Sequence, residues 1–352
     1  MQKHQHGGDI YTTSCRIDFS ANLNPLGMPE RVKEAACEGV RRSVNYPDVR
    51  CSALRSALSE KEQIAMEQII CGNGAAELIF LLAVAEKPQR ALLVSPGFAE
   101  YGQALEAYGC DICYYDLREE NGFSVGEDYI TYLTSDPDII FLCNPNNPTG
   151  VQMPRALLKR IIGVCRERGI RMVLDVCFLD FLEHPQESDF NAVIRENPQL
   201  FLLKAFTKTY AMAGLRLGYG LCADEALLAR MEQLRQPWSV SIPAQMAGVA
   251  ALQETDYVSR ARTLVQKERR WLCEKLTELG FTVYDSRANF LFFKGAEGLA
   301  EKCRAQGILI RDCANYRGLC SGYYRIAVRT HAENEELIRA IRKSCDPVKD
   351  RK

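Results

Sequence analysis

Five short segments of this chain hold residue types that could serve one reaction centre. Lys208 stands in Ala205-Phe206-Thr207-Lys208-Thr209-Tyr210, just after an apolar run that ends at Lys204. In apolar surroundings a lysine loses part of its preference for the ammonium form, and a neutral amine can attack a carbonyl to give an imine. Asp175 closes the apolar run Met172-Val173-Leu174. A carboxylate there needs a partner, and three are open: a helix start, a structural ion pair, or the protonated ring nitrogen of a cofactor. Arg216 follows Lys208 in Gly214-Leu215-Arg216-Leu217-Gly218-Tyr219. Asn144-Pro145-Asn146-Asn147-Pro148-Thr149-Gly150 is a polar, turn-rich loop after the apolar run Ile139 to Cys143. Gly72-Asn73-Gly74-Ala75-Ala76-Glu77 precedes the apolar helix expected over Leu78 to Ala85. Backbone N–H groups at such a helix start attract phosphate, although a plain turn has the same composition.

The elements that must position these groups alternate in type. Short apolar runs at 91–94, 139–142, 172–174 and 200–203 read as strands, and amphipathic stretches such as Arg155 to Arg168 read as helices. That alternation predicts an α/β fold with a mostly parallel sheet covered by helices on both faces. Such sheets place ligands at the carboxyl ends of their strands. The last third differs. A long charged helix over Tyr257 to Leu279 stops at Gly280, strands follow at 281–284, 289–293, 308–311 and 324–328, and a helix over Asn334 to Ser344 closes the chain. We therefore expect a large domain over 41–256 and a smaller α+β domain from 257–352, joined by a loop-rich segment 1–40.

With 352 residues, 47% of them apolar, the chain can bury a sizeable core. A formal net charge of -1 with both signs interspersed argues against a nucleic-acid protein. No apolar run reaches the length of a membrane span, and Met1 to Asp9 is too polar for a signal peptide, so a cytoplasmic location is expected. The 15 cysteines are scattered through apolar segments and read as reduced core thiols. Cys110 and Cys113 have no second pair or nearby histidine, and the four histidines form no ligand pattern, so no metal site is expected.

Taken together, the glycine turn, asparagine loop, aspartate, lysine and arginine occur in an order that resembles the fold-type I pyridoxal-phosphate enzymes, in the branch of the histidinol-phosphate aminotransferases. The resemblance covers almost the whole chain. It implies that Lys208 holds pyridoxal 5'-phosphate as a Schiff base and that Asp175 keeps the ring nitrogen protonated. It further implies that Asn147 bonds the ring 3'-oxygen and that Phe98, in Ser95-Pro96-Gly97-Phe98, stacks on the ring. The backbone at Gly74, Ala75 and Ala76, with Thr207 and Arg216, would hold the cofactor phosphate. Tyr46 would reach the cofactor of a second subunit, making the active unit a homodimer.

Further strings resemble one family within that branch, the threonine-phosphate decarboxylases of cobalamin synthesis. They are His6-Gly7-Gly8-Asp9, Asp18 to Gly27, Pro96 to Tyr101, Pro237 to Val240, Ile310 to Tyr316 and Tyr323-Tyr324-Arg325. The implied reaction converts O-phospho-L-threonine to (R)-1-amino-2-propanol phosphate and carbon dioxide. The substrate would be a phospho-amino acid held by Arg311, Arg325, Asn147 and Asn22, with His6 and Gly7 on an N-terminal arm. Phe178 stands where aminotransferase relatives commonly carry a tyrosine. O-Phospho-L-serine is the neighbouring substrate, and a histidinol-phosphate-type aminotransferase is the alternative activity. The chain departs from the branch at Val176, Ala205, Ala75 and Ala76, where an acidic residue or hydroxyls are common. Up to three contacts to the cofactor phosphate are thereby lost, each worth roughly 1 kcal/mol net.

Overall fold

The computed structural model describes residues 6–345. After a two-residue strand β1 (Ile17–Asp18), the chain lays down seven strands of one sheet. They are β2 (Ile69–Gly72), β3 (Arg90–Ser95), β4 (Asp111–Asp116), β5 (Ile139–Cys143), β6 (Arg171–Asp175), β7 (Leu200–Ala205) and β8 (Gly218–Leu221). Across the sheet they run β2-β8-β7-β6-β5-β3-β4. Neighbours from β7 to β4 are parallel, whereas β8 is antiparallel to both β7 and β2.

This direction of travel assembles the site. The carboxyl ends of β3, β5, β6 and β7 share one edge of the sheet, with Cys143 opposite Asp175 and Asp175 opposite Leu203. Because β8 runs the other way, its first residue, Gly218, lies at that same edge beside Gly72 and Ala205. Phe98, Asn147, Asp175, Lys208, Arg216 and Gly74 all stand at or just beyond those strand ends.

Alternation along the strands divides the core. Leu92, Ile140, Leu142, Met172, Leu174 and Leu202 pack on one face of the sheet. Ala91, Leu93, Phe141, Cys143, Val173 and Leu203 pack on the other. Val176, where the branch commonly has an acid, is buried in the first layer, where a carboxylate would need a partner.

A 24-residue helix, Thr255–Glu278, leads to β9 (Thr282–Val283) and β10 (Phe290–Lys294). Past these come β11 (Ile308–Leu309), β12 (Arg311–Asp312) and β13 (Tyr323–Ala327). Strands β12-β13-β10-β9 form an antiparallel sheet, while β11 pairs parallel with β1. The single strand expected over 308–311 is thus two, shared between sheets: Leu309 belongs to the pairing with β1, and Arg311 faces β13. The first 40 residues are less loop-rich than expected. Glu30–Arg41 is a 12-residue helix packed against Ile242–Leu252. At their contact, Gly39 leaves no room for a side chain, since an added Cβ would lie 2.5 Å from the Pro243 Cα.

Candidate active site

The helix Gly74–Glu86 begins at the sheet edge with Gly74 at φ +80. A Cβ on Gly74 would lie 2.4 Å from Nη2 of Arg216, so the guanidinium rests directly on the helix start. Gly218 is equally constrained, because a Cβ there would lie 2.5 Å from the Ala75 nitrogen. A cation against the positive end of a helix is unfavourable by itself. Arginine and exposed backbone N–H groups converging on one point fit a phosphate. Among the described residues Arg216 makes no ion pair, and its one hydrogen bond runs 3.3 Å to the Ala213 carbonyl. Arg216→Ala is therefore expected to weaken cofactor binding by about 10–100-fold, the value of one charge-assisted contact. A fluorescence titration of cofactor-free protein would measure it.

Lys208 stands in the turn Phe206–Thr209 that follows β7. Its Nζ has no hydrogen-bond or ion-pair partner among the described residues. Burial first, then the charges of Arg325 and Arg216, bring its pKa down from 10.5 to about 8. At pH 7 about a tenth of such an amine is neutral, against well under a thousandth for a free lysine. This is the condition an imine-forming lysine requires.

Asp175 ends β6 and is buried. Its Oδ1 accepts from the Cys177 N–H at 2.9 Å, and its Oδ2 accepts from the Tyr101 hydroxyl at 2.6 Å. Phe98 caps the helix Ala99–Ala107 and meets Tyr101 edge-on at 5.4 Å. In the asparagine loop only one of the three asparagines faces the site. Asn144 and Asn146 brace the loop through Met153, Pro96 and Thr149, whereas Asn147 Oδ1 accepts from Nη1 of Arg325.

Arg325 and Arg311 lie directly opposite each other on β13 and β12, and both are buried. Like charges facing across a ladder are destabilising. Arg325 also donates to the Ser20 carbonyl at 2.9 Å, makes no ion pair among the described residues, and has a buried Nε without a partner. Arg311 donates to the Asp312 carbonyl at 2.6 Å and to Asn315 Oδ1 at 2.7 Å. A buried guanidinium without a carboxylate beside it, as at Arg325, is costly, and an anionic ligand offsets that cost.

The N-terminal arm reaches the same place. A Cβ on Gly7 would lie 2.2 Å from the Ser20 carbonyl oxygen, and the Gly8 N–H donates to Ser20 Oγ at 2.7 Å. His6 Nδ1 stands 3.3 Å from Glu100 Oε1. Asn22 is buried with Oδ1 unpartnered. Phe178 is buried edge-on against Phe290, over which Arg325 is also placed. Thr207, Ala75 and Ala76 are half-buried. Tyr46 stands apart from the rest: it is 78% exposed and stacked on Trp238 at 4.5 Å.

Three contributors went unassigned in the sequence: Tyr101, Glu100 and Ser20. The spacing of Phe98 and Tyr101, three apart at a helix start, was the available signal for the first. The other two depend on chain crossings that no spacing shows.

Known proteins bear on this arrangement. The model of the class I and II aminotransferases matches residues 16–341. The chain belongs to that family. Threonine-phosphate decarboxylase of Salmonella typhimurium is 41% identical over 349 residues, covering 96% of this chain and 95% of that protein. The solved L-threonine-O-3-phosphate decarboxylase of Porphyromonas gingivalis superposes with a TM-score of 0.83 at 25% identity, over 94% of this chain and 100% of that one. The histidinol-phosphate aminotransferase of Clostridium acetobutylicum gives 0.87 at 28% identity, over 93% and 98%. As a member of this family the chain is a pyridoxal-phosphate enzyme. Its residues fit that cofactor: an anion cradle at Gly74 and Arg216, a partly neutral lysine, and a buried carboxylate at the same sheet edge.

Proposed function

We propose that this protein decarboxylates O-phospho-L-threonine, using pyridoxal phosphate held by Lys208, Asp175, Asn147, Phe98, Thr207, Arg216 and the 74–76 backbone. The observation that carries this reading is the opposed, buried pair Arg311 and Arg325. Two facing guanidiniums suit an anionic ligand, and a phospho-amino acid offers both a carboxylate and a phosphate. Histidinol phosphate has a phosphate and no carboxylate, so it brings this pair one anionic group where a phospho-amino acid brings two.

Once bound, the cofactor supplies an electron sink for the bond broken at the substrate Cα. The chain's residues select that bond. Arg325, fixed by Asn147 and the Ser20 carbonyl, holds one anionic group at a set position. Arg311, His6, the Gly7 amide and Asn22 supply donors for the other. The Lys208 amine, partly neutral at pH 7, can move a proton at Cα. Phe178 offers no hydroxyl to compete for Asn147's neighbourhood.

The test is a single-turnover incubation of cofactor-loaded protein with O-phospho-L-threonine, and separately with O-phospho-L-serine, without any keto acid. Carbon dioxide equal to the enzyme from either substrate is expected. Conversion of the cofactor to its amine form without carbon dioxide would instead assign an aminotransferase.

The active unit we propose is a cytoplasmic homodimer, with the large domain at 41–256 and the small domain at 1–40 and 257–352. Exposed Val40, Val44, Tyr46, Val49 and Trp238 lie on or near the helix Glu30–Arg41 and support an association face. Trp238→Glu is expected to shift the sedimentation coefficient from dimer to monomer. Buried thiols such as Cys165, Cys222 and Cys313 suit a reducing compartment. Among the described residues no helix is long and apolar enough to cross a membrane.

A further inference from the structure

The Asp175 carboxylate does not stand alone under the site. Tyr101, on the helix Ala99–Ala107, donates its hydroxyl to Oδ2 at 2.6 Å, and both groups are buried. The Tyr101 ring is itself clamped, stacked on Phe141 at 4.9 Å and edge-on to Phe98 at 5.4 Å. Phe141 belongs to β5, Asp175 to β6, and Phe98 opens the helix that carries Tyr101. One aromatic ring therefore ties together the carboxylate and the residue assigned to stack on the cofactor.

We propose that Tyr101 is the positioning residue of Asp175: its hydroxyl fixes the orientation of the carboxylate toward the cofactor ring nitrogen. This rests on the cofactor reading given above. Burial first, and then the neighbouring Asp175 charge, raise the Tyr101 phenol well above its usual value. The phenol thus stays protonated across the working range and can only donate to Asp175. A donor to a carboxylate stabilises the anion, which favours a charged ring nitrogen facing a charged carboxylate over a neutral pair. Without the hydroxyl the carboxylate is no longer held toward the ring nitrogen, and the ring carries less positive charge. A less positive ring makes the nitrogen of Lys208 more basic once it is joined to the cofactor.

The experiment is a pH titration of the visible absorbance of cofactor-loaded Tyr101→Phe, with no substrate present, alongside a cofactor-binding titration. The midpoint is expected to move up by about one pH unit and the cofactor affinity to fall about tenfold, the scale of one hydrogen bond to a charged group. Phe141→Leu, which loosens the same ring but keeps the hydroxyl, is expected to leave the midpoint in place. In an Asp175→Asn background, Tyr101→Phe is expected to change nothing further. An unmoved midpoint in Tyr101→Phe, or an equal shift in Phe141→Leu, would reduce Tyr101 to packing and overturn the proposal. If the unaltered protein showed no visible band with the cofactor, the cofactor reading itself would fall, a result the wild type alone reveals.

Discussion

Replacing Arg325 with methionine is expected to lower kcat/KM for phosphothreonine by between about thirtyfold and several-thousandfold, while the cofactor-free protein keeps its folding stability. The first half follows from the value of a buried, hydrogen-bonded charge contact, about 2–5 kcal/mol in the complex. The second half follows from the absence of a carboxylate beside Arg325 in the described structure. The guanidinium has lost its water, faces Arg311 across the ladder, and donates to Asn147, the Ser20 carbonyl and, at 3.5 Å, the Tyr316 hydroxyl. An apolar side chain of similar length removes both penalties and leaves those acceptors without this donor, costs of opposite sign. Steady-state kinetics and urea denaturation on the same preparation test both halves. A loss of several kcal/mol of stability would make Arg325 a structural bridge and leave the substrate without its anchor.

Lys208→Met is expected to abolish turnover and, in the cofactor-free protein, to raise stability at pH 7 by about 3 kcal/mol. The sign follows from the direction of the shift. The folded lysine titrates at about 8 and the unfolded one at 10.5. Between those values the unfolded chain binds more protons, so the native fold gains stability as pH rises through this window. Below pH 8 both states are protonated and the full cost of the buried ammonium is present. Methionine keeps much of the volume and has no charge to desolvate. Urea midpoints from pH 7 to 10.5 should therefore rise for the wild type and, for this residue's contribution, stay level in the variant. Parallel profiles would show that Lys208 is as well solvated as an ordinary surface lysine and has no special reactivity.

Much of the scaffold was legible in the chain because apolar runs and helical periodicity are local. The strands at 90–95, 139–143, 171–175 and 200–205 and the helix Arg155–Arg168 fall where the patterns put them. Asp175 ends an apolar run and Asn147 and Lys208 follow others by a few residues, so a parallel sheet brings them to one edge, but it was the resemblance of their order to a known family that singled them out with Arg216. The helix Glu30–Arg41 was missed because it follows a segment rich in turn residues. The strand at 308–311 was read as one because its break, at Ile310, is imposed by two separate partners.

The sequence by itself determined which residues could do chemistry and that parallel strands would gather them. Only the tertiary structure decided what each of them faces. The opposition of Arg311 and Arg325 depends on a register between two strands, and the contact of Gly7 with Ser20 depends on an arm laid across the molecule. The Tyr101–Asp175 bond joins residues 74 positions apart. The reason is physical: burial and charge pairing depend on what the fold brings near, and neighbours in space are set by packing rather than by spacing along the chain.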